Sequence, residues 1–300
     1  MKNKHAILIM AHNNQFTLTK IIKLLDSELF DIYLHIDKKS NLMPCDFEKL
    51  TTKSRVFVYK EIDVRWADYS QTETEMFLLK KAVNKNYSYY HLISGNDFIL
   101  KTPQEIYTYF ENSKKIFVHF ASEKLPSNKI PWVKYYHLFM PYLRNNYFWI
   151  FLDKLTVYAQ KMFGVNRLKK IKEIEIMTGA NWFSITDSFA KYVVSNSDIV
   201  EKIFKNTRSS DEMFIQTLLY NSDFFENIYD KKLNDDYDAC KRYIKWNGNV
   251  PKVLELSDLD EMINSDMFFA RKVDENLDKE LICQLDKYLS LRKLGGNSDE

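Results

Sequence analysis

The stretch HAILIMAHNNQFTLTKIIKLLDSELFDIYLHID, residues 5–37, sets two strand-like runs around a helix-like one. HAILIMA (5–11) is apolar almost throughout. DIYLHID (31–37) is β-branched and aromatic and ends on a carboxylate. Continuous apolar strands separated by helices mark a mostly parallel sheet covered on both faces. The alternation continues outward. RVFVYK (55–60) reads as a strand, SQTETEMFLLKKAVNK (70–85) has a 3.6-residue period, and YYHLISG (89–95) is a strand again. TPQEIYTYFENS (102–113) places Pro103 at a first helical position, and KIFVHFA (115–121) follows. The fold expected is therefore α/β, a mostly parallel central sheet flanked by helices. Ligands of such sheets sit beyond the C-terminal strand ends, which gathers Ala11, His12, Asp37 and the SGND turn (94–97) with Asp97.

The composition is globular, 45% hydrophobic and 28% charged, over 300 residues. A formal charge of +2 argues against nucleic acid as a partner. Cys45, Cys240 and Cys283 are odd in number and far apart, offering neither a disulfide framework nor a metal motif and fitting a reducing, cytoplasmic setting. The basic-then-apolar start superficially suggests a signal peptide, but its apolar run is too short and reads as a buried strand. No Gly/Pro-rich linker divides the chain. We expect one domain over 1–295 and a frayed tail at 296–300. Within it, 1–121 is the nucleotide-binding half, 122–176 an insertion, and 177–295 the catalytic and diphosphate-binding half.

The insertion is unusual. Trp132 to Phe163 contains eleven aromatic residues, and Lys134 to Lys172 contains eight Lys or Arg against one acid, Asp153. NYFWIFLDKLTVYAQKMF (146–163) reads as a helix. Two readings stand: an aromatic core helix with a solvated basic end, or a surface lying on an anionic membrane. Beyond it, MTGANWFSITDSFAKYVV (177–194) resumes the strand-turn-helix pattern with Asp187 as a cap.

TRSSDEMFIQTLLYNS (207–222) carries the sharpest chemical question. Ser209 and Glu212 have capping-box spacing ahead of a helical apolar run, so Glu212 either caps a helix or takes a proton. No G-x-G-x-x-G, Walker A or G-x-S-x-G pattern occurs. The triplets Asp236-Tyr-Asp238 and Asp258-Leu-Asp260 lie late in the chain, so no metal site is expected. If a diphosphate departs without a metal, fixed cations must stabilise it. Lys252, Arg271 and Lys272 are the candidates, with Arg271 and Lys272 beside the apolar MFFA.

Six of these pieces, taken in order, resemble the core-2/I-branching glycosyltransferase family, which includes branching β-1,6-N-acetylglucosaminyltransferases and peptide xylosyltransferases. They are AILIMAHNN with DIYLHIDKKS, RWADYSQTETEMFLLKKA, YYHLISGNDFILKT, TGANWFSIT, SSDEMFIQTLL and MFFARKVD. The resemblance implies a GT-A-type nucleotide-sugar fold, inversion at the anomeric carbon, activity without a metal or cofactor, and a UDP-sugar as co-substrate. It assigns Glu212 as the base for the acceptor hydroxyl, Lys272 to the donor diphosphate, and Asp37 to uridine, with His12 and Trp66 around the donor. Lys252 substitutes for a second phosphate-binding cation that relatives carry on a longer loop, and Trp182, Tyr135 and Asp211 are expected on the acceptor side. The absent cysteine pairs fit a bacterial member acting at the cytoplasmic face of the membrane on a glycan or lipid-linked glycan. UDP-GlcNAc is the first donor expected, ahead of UDP-galactose, UDP-glucose and UDP-xylose. The other classes are a catalytically silent sugar- or lipid-binding subunit and a Rossmann-like methyltransferase, the latter disfavoured by the missing glycine-rich turn.

Overall fold

The computed structural model describes residues 3–144, 146–248 and 250–295; the tail expected at 296–300 lies outside them. The main sheet contains β1 (His5–Ala11), β2 (Phe30–Ile36), β3 (Val56–Tyr59), β4 (Tyr89–Ser94), β6 (Phe117–Val118) and β7 (Phe183–Thr186), in the order β3-β2-β1-β4-β7-β6. The first four pair in parallel, as the alternation predicts. β7 runs antiparallel to both its neighbours. The chain leaves β6, passes through the insertion, and returns against the direction of β4. This yields the α/β, mostly parallel architecture expected.

β1 lies inside the sheet, and helices cover both of the sheet's faces, so its alternate residues enter two cores. Ile7, Ile9 and Ala11 join one cluster with α1 (Gln15–Leu25), α3 (Pro103–Ser113) and α10 (Lys279–Gly295). Ala6 and Leu8 join the other, with α2 (Tyr69–Ala82), α6 (Asp187–Ser195) and α8 (Phe214–Tyr220). Burial on both faces is why the strand shows no polar alternation. α3 opens on a capping box between Thr102 and Glu105, with Pro103 in the first turn. Asp187 is not the cap of α6. That place belongs to Thr186, while the Asp187 carboxylate accepts from Tyr90 and Lys191. His5 and His91 are satisfied core imidazoles, 3.0 Å apart and held below their ordinary values chiefly by burial. Each ring's other nitrogen also has a partner, Glu111 for His5 and Ser184 for His91.

A second sheet, β5 (Asp97–Ile99), β11 (Phe269–Arg271) and β8 (Arg242–Ile244), lies in the order β5-β11-β8. Arg242 pins it to the first. Its fully buried guanidinium donates to the carbonyls of Cys240, Leu92 and Phe183 and lies 4.0 Å from the Phe269 ring centroid. Leu92 belongs to β4 and Phe183 to β7, so one side chain ties the small sheet to two strands of the large one. Burial lowers its pKa to about 10, which leaves it charged at neutral pH. Arg242→Met should cost about 3 kcal/mol or more, because buried carbonyls lose a charged donor without gaining water. Urea unfolding checks this, and a loss under about 1 kcal/mol would show that the sheets are joined by other means.

Candidate active site

A cavity of about 610 Å³ opens beyond the C-terminal ends of β1, β2 and β4. Its floor is Met10, Ala11, Ser94 and Asn96. The strand ends meet closely because residue 95 is glycine: a Cβ there would stand 3.2 Å from Ala11 Cβ. Asp37 follows β2, and its backbone N donates to the Ala11 carbonyl at 2.7 Å. Its Oδ1 accepts from the backbone N of Lys39 and of Val64, while Lys39 Nζ stands 3.4 Å from Oδ2. His12 lies at the rim. Partial desolvation lowers its proton affinity; the Asp37 charge opposes this, and Arg144, Lys272 and Arg271 reinforce it.

Arg271 carries positive charge into the same space. Nη1 donates to Asp97 Oδ1 at 2.8 Å and Ser94 Oγ at 2.7 Å, and the guanidinium lies 4.4 Å from the Trp182 ring centroid. Asp97 in turn accepts from Ser94 N at 2.6 Å. Asp97 therefore holds Arg271 in place from beneath. Trp182 and Arg271 form one wall, and Trp66, 61% exposed, stands at another. The cavity thus gathers Ala11, His12, Asp37, Trp66, Trp182 and Arg271.

Other expectations are corrected. Lys252 does not reach the cavity wall: its ammonium is paired with Asp258 at 2.9 Å, beside the Lys245–Asp258 pair. The cation that sequence reading missed is Arg144, which lines the cavity with Met140 and Pro141. It comes from the insertion, whereas Lys252, Arg271 and Lys272 all follow residue 250. Tyr135 is also misplaced. It is buried beneath Lys134 and Lys161, and its carbonyl accepts from Arg167. Lys272 is not in the wall, although its charge acts on His12.

The capping box at 209–212 does not form. Ser209 is left-handed, with φ 49°, and makes no side-chain cap bond. Ser210–Glu212 is a single 3₁₀ turn, and α8 starts only at Phe214. Tertiary contacts override the local pattern. Ser209 N donates to Ala67 O, and Ser210 Oγ lies 2.7 Å from Thr72 Oγ1 of α2. The Glu212 carbonyl accepts from Gly179 N at 2.9 Å and Thr178 Oγ1 at 3.0 Å. Only glycine fits at 179, where a Cβ would stand 1.8 Å from the His119 carbonyl. The Glu212 carboxylate, 40% exposed, is not part of the cavity wall and accepts from Lys129 Nζ at 3.0 Å.

Asp211 points the other way, into the protein. Gln71, which lines the cavity, donates to its Oδ2 at 3.1 Å, while Oδ1 is buried without a partner. Glu75, fully buried on α2, faces the same cluster with one oxygen 3.5 Å from Asn181 Nδ2 and the other unpartnered. Burial first, then Asp211's charge, raises Glu75 well above the carboxylate range. Burial first, then the charge of Glu212, pushes Asp211 up to about 8.

The Core-2/I-Branching enzyme family model matches residues 6–267. The chain belongs to this family. Among its relatives, xylosyltransferase sqv-6 of Caenorhabditis briggsae is 22% identical over 83% of this chain and 32% of its own. Xylosyltransferase 2 of Rattus norvegicus is 22% identical over 95% of this chain and 33% of its own. Xylosyltransferase 1 of Mus musculus is 30% identical over 39% and 14%. The chain spans about a third of the length of the first of these relatives. Among solved structures, glycosyltransferase GlyE of Streptococcus pneumoniae aligns over 73% of this chain and 44% of its own, at 10% identity and a TM-score of 0.35.

The buried acid pair has a measurable consequence. Both carboxyls hold their proton more tightly in the folded chain than in the unfolded one. Their stabilising share is complete below the ordinary carboxylate range and is lost as pH rises toward about 8. Asp211→Asn keeps a neutral group there, so its stability relative to wild type should rise between pH 5 and pH 8 in paired urea titrations. Parallel pH profiles would show that Asp211 is ionised throughout.

Proposed function

We propose that one domain, 1–295, transfers a sugar from a UDP-sugar to a glycan hydroxyl, inverting the anomeric carbon and using no metal. The observation that carries this reading is the cavity, where Asp37 and the cations Arg271 and Arg144 line one space at the strand ends. Asp37 suits a uracil edge, since a carboxylate accepts from its N–H. The guanidiniums suit a diphosphate, which they bind through charge-assisted donors. As the acceptor oxygen attacks, the bond from the anomeric carbon to the diphosphate breaks and its electron pair leaves with UDP. Arg271, Arg144 and the nearby Lys272 stabilise that developing charge electrostatically. Glu212 takes the proton from the acceptor hydroxyl as the new bond forms. Lys129 orients the carboxylate before the acceptor arrives, and Gly179 and Thr178 fix its backbone.

The donors to test first are UDP-GlcNAc, from the branching enzymes the family includes, and UDP-xylose, from the relatives' names. UDP-galactose and UDP-glucose follow. All three cysteines are free, which supports a reducing compartment. We place the activity in bacterial surface polysaccharide synthesis at the cytoplasmic face.

A donor panel read by UDP release, run with and without EDTA, tests the reading. One UDP-sugar should turn over equally in both, and Glu212→Gln should reduce release at least about a hundredfold with UDP affinity unchanged. Loss of activity in EDTA restored by manganese would contradict the metal-free step. Full turnover by Glu212→Gln would remove Glu212 as base, and UDP binding without turnover of any donor would point to a silent binding subunit.

A further inference from the structure

The helix α5 (Tyr147–Met162) buries an acid and exposes a row of apolar side chains. Its one buried residue is the acid Asp153, whose Oδ2 is 3.0 Å from His137 Nδ1. One helical repeat on, Gln160 clasps the backbone of Tyr136, accepting from its N and donating to its O. Two polar side chains thus fasten the inward side, and one turn before Asp153 the Trp149 ring packs against Phe139 and Tyr142. The outward face carries Phe148, Phe151, Leu155, Tyr158 and Met162, spaced three, four, three and four residues apart along one side of the helix. They are 61%, 61%, 50%, 61% and 71% exposed, and Phe163 just beyond is 85% exposed. A protein surface in water rarely shows an apolar stripe of this length.

The charge beside the stripe has one sign. Asp153 is turned inward, so the outward charges of α5 are Lys154 and Lys161, both exposed. Lys169, Lys170 and Lys172, shortly after α5, line a pocket of about 490 Å³ together with Lys202 of the later helix Ser197–Phe204, and Glu173 is its one acid. An apolar helical face flanked by lysines suits an interface between hydrocarbon and anionic headgroups: the rings enter the acyl boundary and the ammonium groups remain at the phosphates. No helix among the described residues is long and apolar enough to cross a membrane, so contact through α5 means lying on the surface.

We propose that α5 docks this chain flat onto an anionic bilayer, with the lysine pocket taking lipid phosphate. Met140, Pro141 and Arg144 of the cavity wall lead directly into α5. Docking therefore holds that wall at the lipid surface, where a sugar acceptor carried on a lipid would be presented. Only this last consequence rests on the proposed transfer activity; docking itself does not.

Sedimentation with phosphatidylglycerol-containing vesicles and with phosphatidylcholine-only vesicles tests the proposal without any activity assay. Wild type should pellet with the anionic vesicles and far less with the neutral ones, and added salt should weaken the binding. Phe151→Ser with Leu155→Ser should weaken binding at least about tenfold. Lys169→Glu with Lys170→Glu should remove the preference for anionic lipid. Both pairs are on the surface, and circular dichroism should show each variant folded. Wild type staying in the supernatant with both vesicle types would overturn the proposal. So would a dimer in analytical ultracentrifugation that the Phe151/Leu155 pair abolishes, since the stripe would then be covered by a second copy.

Discussion

Arg271 brings its charge from the last strand of the small sheet to the end of β4, where Asp97 and Ser94 accept from one of its nitrogens and Trp182 lies beneath it. Everything at the site is arranged around that contact. It joins the turn after β4 to a residue 174 positions later in the chain. It also sets a cation against an aromatic face in the wall of the cavity. Arg242, on the neighbouring strand β8, ties the same small sheet to β4 and β7 through carbonyl oxygens. Neither arginine could hold its position if the small sheet were free to slide, because each spans two sheets with short, directional bonds.

The site also segregates charge by burial. Cations face the space where negative charge would accumulate, whereas Glu75 and Asp211 lie deep beneath Gln71 and Asn181 with raised proton affinities. Two ionised carboxylates at that depth would be costly together, and protonation relieves the repulsion. Glu212, next in the chain to Asp211, is instead half-exposed and paired with Lys129. Adjacent carboxyls thus differ because a single 3₁₀ turn points one inward and one outward. In the proposed reaction, that difference is what separates the proton acceptor from a structural acid.

The parallel half of the fold was legible because a strand covered on both faces must be mostly apolar, and HAILIMA and YYHLIS are, apart from His5, His91 and Ser94. The rest lacked a local signature. β5 and β11 are three residues each and pair at long range, Asp97 with Arg271, so no periodicity announces them. Ser209-x-x-Glu212 had capping-box spacing, but contacts from Ala67, Thr72 and Gly179 impose another geometry. Glu75, a carboxylate within the periodic stretch 70–85, is fully buried. The positions of Asp37 and the SGND turn were legible because each stands at a strand end, and Arg271 stood out as a cation beside the apolar MFFA. Lys252 and Tyr135 failed for the opposite reason: their surroundings depend on Asp258 and on the packing of the insertion, which no short motif encodes. Arg144 lies in that same insertion and was passed over.

A crystal structure of the chain with UDP, grown in EDTA, is the most direct test of the central claim that this cavity binds a nucleoside diphosphate through its own side chains. The account predicts uracil against Asp37 and the two phosphates against Arg271 and Arg144. UDP bound elsewhere on the molecule, or bound only when a divalent cation is supplied, would contradict it.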